Sequence, residues 1–286
     1  MKTSPQAATI HTLSYFGHFS YAPTLQELHT HIPLLMSQRK LEAYLQHMQN
    51  SSIITHISFR NSPSRYTLPQ YSITKQSIKK RLFYTKCKEK RAHTYLFLLS
   101  KLPFVLLIGL SGSVASYNAQ KNDDIDLFIV TQSCKMWSTR AAAVALAYLL
   151  GVKRPRLTHF APDKVCTNLW FEESHLAVPK HKRSEYMAYE VVRMRTLHQA
   201  HAMHERYLYE NRWVKKFFPN IIISKPRSNN RVAPLIPGTI EQLLKQFQLF
   251  IIAKHKTSEY ISKHQLWFFP DDYAQKMTDI SPPRPK

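Results

Sequence analysis

Aspartate is distributed very unevenly in this chain. None of the seven precedes position 123, and three fall within four residues: Asp123, Asp124 and Asp126. Just upstream lies a second scarcity. Glycine occurs only five times in 286 residues, and two of the five, Gly109 and Gly112, stand three apart. A residue this rare marks places where a side chain is not tolerated. The surroundings sharpen the point, because 40 Lys and Arg against 18 Asp and Glu give a net charge of +22. A chain so basic that concentrates its aspartates in one place is expected to hold a divalent cation there, since hard cations take carboxylate oxygens.

The local pattern supports a site. Phe104 to Ile108 and Ile125 to Val130 are compact apolar runs of buried-strand length. Between them Gly112-Ser113 can open a short helix, whose free N–H groups and serine hydroxyl would face an anion such as a triphosphate. Asp124 and Asp126, two apart on a strand, project from one face and could share Mg²⁺ or Mn²⁺ with the phosphates. Ile125, Leu127 and Ile129 fill the opposite face, giving one buried side and one chemical side.

Upstream, Ala7 to Phe16 reads as a helix, and Thr24-Leu-Gln-Glu27 has capping-box spacing. A third helix starts at Ser37, with Leu41, Tyr44, Leu45 and Met48 on one stripe. Ile53, Ile57 and Phe59 alternate with polar neighbours, Asn61 to Arg65 supplies turn residues, and Tyr66-Thr-Leu68 returns. Three helices and a two-stranded wing follow winged-helix order. A basic helix over Ile78 to Lys101 connects this unit to the strands. Trp137 to Leu150, ended by Gly151, predicts a helix across the strands, and Val165 to Phe171 a third strand. Beyond Ser184 the pattern predicts helices near 184–198, 203–217 and 239–254, and then a disordered tail from Ser281 to Lys286.

Composition excludes other classes. Hydrophobic residues at 44% and charged residues at 20% are a globular balance. The longest apolar stretch, Tyr95 to Leu110, is broken by Lys101 and Pro103 and is shorter than a membrane span. No signal-like start is evident, so a cytoplasmic location is expected. Cys87, Cys134 and Cys166 lack any Cys-x-x-Cys pair and read as reduced thiols. The positive charge points to a polyanionic partner, with Lys79, Lys80 and Arg81 as a phosphate track and Arg39 and Lys40 at the start of the third helix as groove contacts. His198, His201 and His204, three apart on a helix, would drift round its surface, which disfavours metal binding.

Gly112-Ser113 followed by Asp124-Ile-Asp126 inside an apolar strand resembles the signature of the DNA polymerase β-type nucleotidyltransferase superfamily. The chain also looks like a group of bacterial and archaeal proteins with an N-terminal winged helix, a Ser-Gly-Ser core and a helical tail. Tyr15 to Phe19, Thr24 to Leu28, Ser111 to Ser113, Asn122 to Val130, Cys166 to Asn168 and Asn211 to Val214 carry that likeness. The resemblance implies an α+β fold: a winged helix over 1–75, a nucleotidyltransferase core with a small mixed sheet over 76–180, and a helical C-terminal region over 181–286. It also implies transfer of a nucleoside monophosphate from an NTP to a hydroxyl acceptor, nucleic acid or protein. Asp124 and Asp126 would hold the metal, and Gly112 and Ser113 the phosphates, with Arg140 a candidate phosphate contact. The superfamily's third carboxylate falls at Asn168, so Glu172, of the same strand parity, would have to replace it. An amide there leaves a rival reading, a non-catalytic nucleic-acid-binding protein with the fold kept as nucleotide sensor or scaffold.

Overall fold

The computed structural model describes residues 4–155, 161–226, 238–254 and 260–268. It begins with helices α1 (Pro5–His18), α2 (Leu25–His31) and α3 (Gln38–Asn50), followed by the antiparallel pair β1 (Thr55–Ile57) and β2 (Arg65–Thr67). Local chemistry sets these boundaries. Ser4, Thr24 and Ser37 each cap a helix through the side chain, and Thr24 and Glu27 complete the reciprocal capping box. In α3 Leu41, Leu45 and Met48 are buried, whereas Tyr44 lies largely outside the stripe. Helix α1 is buried along most of its length, including every residue from His11 to Gly17, and Tyr15, Phe16 and Tyr21 join the apolar cluster of the main sheet.

Helix α4 (Lys75–Ser100) crosses to a six-stranded sheet. Its strands are β3 (Val105–Leu110), β4 (Ile125–Thr131), β5 (Val165–Glu172), β6 (Arg195–Gln199), β7 (Tyr260–Ile261) and β8 (Gln265–Trp267), in the order β6-β3-β4-β5-β8-β7. Among the described strands only β4 and β5 run parallel, joined through α6 (Met136–Leu149). Both faces of the sheet are covered. Ile108, Ile125, Leu127 and Ile129 pack with residues of α4 and α6, while Leu106, Phe128 and Val130 pack with α1, α7 (Glu185–Arg193) and α8 (Met203–Glu210). The expected chemical side of β4 is therefore buried too, except near its start, where Asp126 precedes Phe128 on the same face. No described helix is long and apolar enough to cross a membrane, and the three cysteines are free thiols.

Two expected helices are shorter than their patterns suggest. The segment over 184–198 is helical only to Arg193, and Arg195–Gln199 becomes β6 against β3. Without β6 the backbone of β3 would be an open edge, and strand pairing there outweighs local helix preference. Gly109 makes the approach possible, since a Cβ on it would stand 2.4 Å from the Met194 sulfur. His198, His201 and His204 consequently lie on a strand, a left-handed turn and a helix, not on one helix. The segment over 203–217 is α8 followed by a 3-10 turn at Arg212–Lys216. Strands β7 and β8 carry no sequence expectation. Helix α9 (Thr239–Ala253) matches its reading, and the tail Ser281 to Lys286 lies outside the described residues.

His31 links the N-terminal helices to the rest. Its ring lies parallel to Tyr189 at 5.0 Å and edge-on to Phe218 at 5.0 Å, and Nδ1 lies 2.7 Å from the Glu27 carbonyl. Burial, reinforced by the nearby Arg193 charge, pushes its pKa down to about 4. Because the folded value lies below that of the unfolded chain, folding loses stability as pH falls from about 6.5 toward 4, by at most about 3 kcal/mol. Urea melts at pH 7 and pH 5 should show the wild type losing stability relative to His31→Phe over this interval, which isolates the imidazole from the carboxyl groups that titrate in the opposite sense.

Candidate functional site

Asp124 and Asp126 are brought to one place by three separate anchors. Ser111 at the end of β3 donates its N–H to the Asp126 carbonyl at 3.0 Å, and Ile125 donates to the Lys164 carbonyl at 2.8 Å. From α4, Lys88 reaches into the loop before β4. Its side chain is 1% exposed, and Nζ donates to the carbonyls of Lys121 (3.1 Å) and Asp123 (2.5 Å) and to Asp163 (2.8 Å). Asp123 has a structural part in this loop, accepting from the Ser113 hydroxyl at 2.6 Å and from the Gln120 N–H at 2.9 Å.

Beyond Ser111 the backbone turns at Gly112 with φ +62°, opening the four-residue helix α5 (Gly112–Ala115). A Cβ on Gly112 would stand 3.0 Å from Asp126 Oδ2, so the glycine is required both by its conformation and by the space beside the carboxylate. Glu190, carried by α7, lines the same cavity as Gly112.

The strand β5 contributes the remaining contacts. Asp126 pairs with Cys166 in the parallel register, and one extra residue of β5, Asn168, falls where Leu127 faces Thr167 and Phe128 faces Leu169. The Asn168 amide donates to Asp126, while the Cys166 thiol donates to Asn168 Oδ1 at 2.7 Å. Asn168 thus orients Asp126 through its amide. One oxygen from each of Asp124 and Asp126, together with Cys166 Sγ, lie within 4.8 Å of one another. Arg154, from the segment between α6 and β5, forms an ion pair with Asp124.

Electrostatically the acids are crowded. Burial above all, then the Asp124 and Glu190 charges, hold the Asp126 carboxyl well above the usual carboxylate range, against the opposing pull of Arg154 and the Asn168 amide. Burial also raises Glu190 and pushes the Cys166 thiol up to about 12, so that cysteine is a neutral donor here. The carboxylates open into a cavity of about 520 Å³. Arg81 from α4, Arg154, and Arg193 from α7 supply three guanidinium groups to its lining, and Phe19 and Tyr186 supply aromatic surface.

Several expected site residues are elsewhere. Glu172 lies six positions along β5 from Cys166, roughly 20 Å away at strand rise, where it accepts from the Cys134 N–H at 3.1 Å and sits 2.7 Å from His264 Nδ1. It lines no part of the cavity into which Asp124 and Asp126 open. Arg140 donates to Gln248 of α9 and stacks over Phe268, so it joins α6 to α9 and lines no part of the cavity. Arg81, grouped by sequence with exposed Lys79 and Lys80, instead donates to the Asn118 carbonyl and faces the cavity. Arg39 and Lys40 are exposed at the start of α3. Sequence reasoning missed Glu190 and Arg193, which share one face of α7 with Tyr186 at i, i+4 and i+7; nothing but that spacing signals them.

No family profile, curated protein or solved structure matches this chain, so the chemistry of the site must be argued from its own geometry.

Raised carboxyl pKa values mean that the site opposes folding at neutral pH. For Asp126 the folded value exceeds the unfolded one, so stability is fullest at about pH 4 and below and declines as pH rises through the folded value. Asp126→Asn, which can still accept from Asn168, should raise the melting temperature at pH 7 by a few degrees. That gain should shrink toward zero near pH 4. A thermal-shift series from pH 4 to 8 measures it, and a loss of stability at pH 7 would contradict this electrostatic picture.

Proposed function

We propose that this chain is a metal-dependent nucleotidyltransferase that moves a nucleoside monophosphate from an NTP to a hydroxyl acceptor. In this reading a winged helix is joined to a DNA polymerase β-type core. The observation that carries it is the juxtaposition of the Gly112 turn with the Asp124 and Asp126 carboxylates in a cavity also lined by three arginines. A site for a neutral metabolite does not need that combination; a triphosphate does, because its charge requires both guanidinium groups and a cation.

Two carboxylates beside a glycine turn, where a Cβ would crowd Asp126, suit a hard divalent cation, and Asp124 and Asp126 would hold Mg²⁺ or Mn²⁺. When bound, such an ion supplies charge neutralisation and polarisation of the phosphoryl group. The remaining chemistry belongs to side chains. Arg81, Arg154 and Arg193 bind phosphate oxygens, and Phe19 and Tyr186 offer surface for a base. Asn168, an amide, takes no proton and fixes the orientation of Asp126. Glu190 is the further carboxylate on the cavity wall, and its raised pKa suits a group that accepts a proton from the attacking hydroxyl. Ser113 donates to Asp123 and so stabilises the loop that presents Asp124.

The Asn168 amide and the Arg154–Asp124 ion pair favour a second reading, a nucleotide-binding scaffold without transfer activity. Two measurements separate the readings. Calorimetry should show ATP binding that requires Mg²⁺ or Mn²⁺. That binding should weaken at least about tenfold in Asp124→Asn/Asp126→Asn and in Gly112→Val, whose branched side chain enters the space beside Asp126. Incubation with α-labelled NTPs and total RNA or protein should then transfer label. Binding without transfer selects the scaffold, and undiminished metal-dependent affinity in the folded double variant contradicts both.

A further inference from the structure

The main cavity does not end at its arginines. A smaller depression of about 30 Å³ shares Ser20, Arg81 and Asn118 with it and continues outward to Arg65 and Tyr117. We infer that a single-stranded polynucleotide lies over this path with a base against Tyr117, and that its terminal hydroxyl reaches the carboxylates as acceptor. The acceptor role rests on the nucleotidyl-transfer reading above; the binding itself does not.

Tyr117 is the central observation. It lies just after α5, its φ is +54°, and its side chain is 42% exposed. A bulky residue other than glycine seldom takes that backbone conformation, and such residues cluster at ligand contacts. Solvation alone does not explain an aromatic ring held there. The ring is also backed: the Arg195 guanidinium lies 4.2 Å from its centre, and Arg195 is in turn fixed by an ion pair with Glu89 and a hydrogen bond to the Val114 carbonyl. A rigid, cation-backed, exposed ring is a platform on which an unpaired base can stack.

Charge continues along the same path. Arg81 stands where the two depressions meet, and Arg65, held against the Ala22 carbonyl at 2.7 Å, stands at the outer end. Guanidinium groups beside an exposed ring suit a phosphate backbone with unstacked bases, and stacking on Tyr117 needs an unpaired base, which a duplex does not offer.

Fluorescence anisotropy with a labelled oligo-U 12-mer and a duplex of equal length, at several salt concentrations, tests the inference. The single strand should bind more tightly than the duplex. Tyr117→Ala should weaken it about fivefold or more, Tyr117→Phe should retain it, and Arg81→Ala should reduce the magnitude of the log–log salt slope by about 0.7. Should Tyr117→Ala fail to fold, judged by its melting curve, Tyr117→Leu takes its place with the same expected loss. Absence of binding at low salt, equal or tighter duplex binding, or indifference to loss of the ring would each overturn it. Mg·ATP calorimetry on the same preparations keeps the two ideas apart. Oligonucleotide binding through Tyr117 without Mg·ATP binding leaves the strand path standing and defeats the transferase reading, whereas Mg·ATP binding without oligonucleotide binding does the reverse.

Discussion

A single buried ammonium group organises this molecule. Lys88 leaves the middle of α4 and donates to two backbone carbonyls and one carboxylate in the loops that precede β4 and β5. Buried carbonyls and a buried cation are each costly alone and satisfy one another here. The contact joins the long helix, the loop carrying Asp123 and Asp124, and Asp163 at the entrance to β5. The spacing of the acids from the Gly112 turn therefore depends on a residue that is not itself acidic or in the cavity.

Around that anchor the structure accepts electrostatic strain in one place. Asp126 and Glu190 meet near Gly112, Asp124 adjoins them, and Arg154 and the Asn168 amide relieve the crowding only in part. Neither the sheet nor the helices need these carboxylates, since apolar packing on both faces already holds β4. Side chains that work against folding and are nonetheless gathered round a cavity are what the proposed cation site requires, because a bound cation turns the same repulsion into affinity.

Much of this was legible in the chain. The capping box at Thr24, the apolar runs of β3 and β4, and the pairing of Gly112 with Asp124 and Asp126 are local patterns, and local patterns survive folding. What escaped was tertiary. β6 and β8 are short strands whose existence depends on the edges they cover, so no periodicity of their own announces them. Glu172 has the right strand parity but lies too far along β5, because parity fixes a face and not a distance. Arg81 lines the cavity and Arg140 does not, against expectation for both, because a helix sequence shows which residues are charged and only packing shows what they meet. Glu190 comes from an element remote in sequence from the site it completes.

The central claim is that Asp124 and Asp126 hold a divalent cation against the phosphates of a nucleotide at the Gly112 turn. Electron spin-echo spectroscopy of the protein with Mn²⁺ and a non-hydrolysable NTP analogue tests it most directly, since coupling between the manganese spin and phosphorus arises only when phosphate oxygens share the ion. The account predicts one bound Mn²⁺ with phosphorus coupling that is absent in the Asp124→Asn/Asp126→Asn variant. Bound manganese without phosphorus coupling, or coupling that persists in the variant, would contradict it.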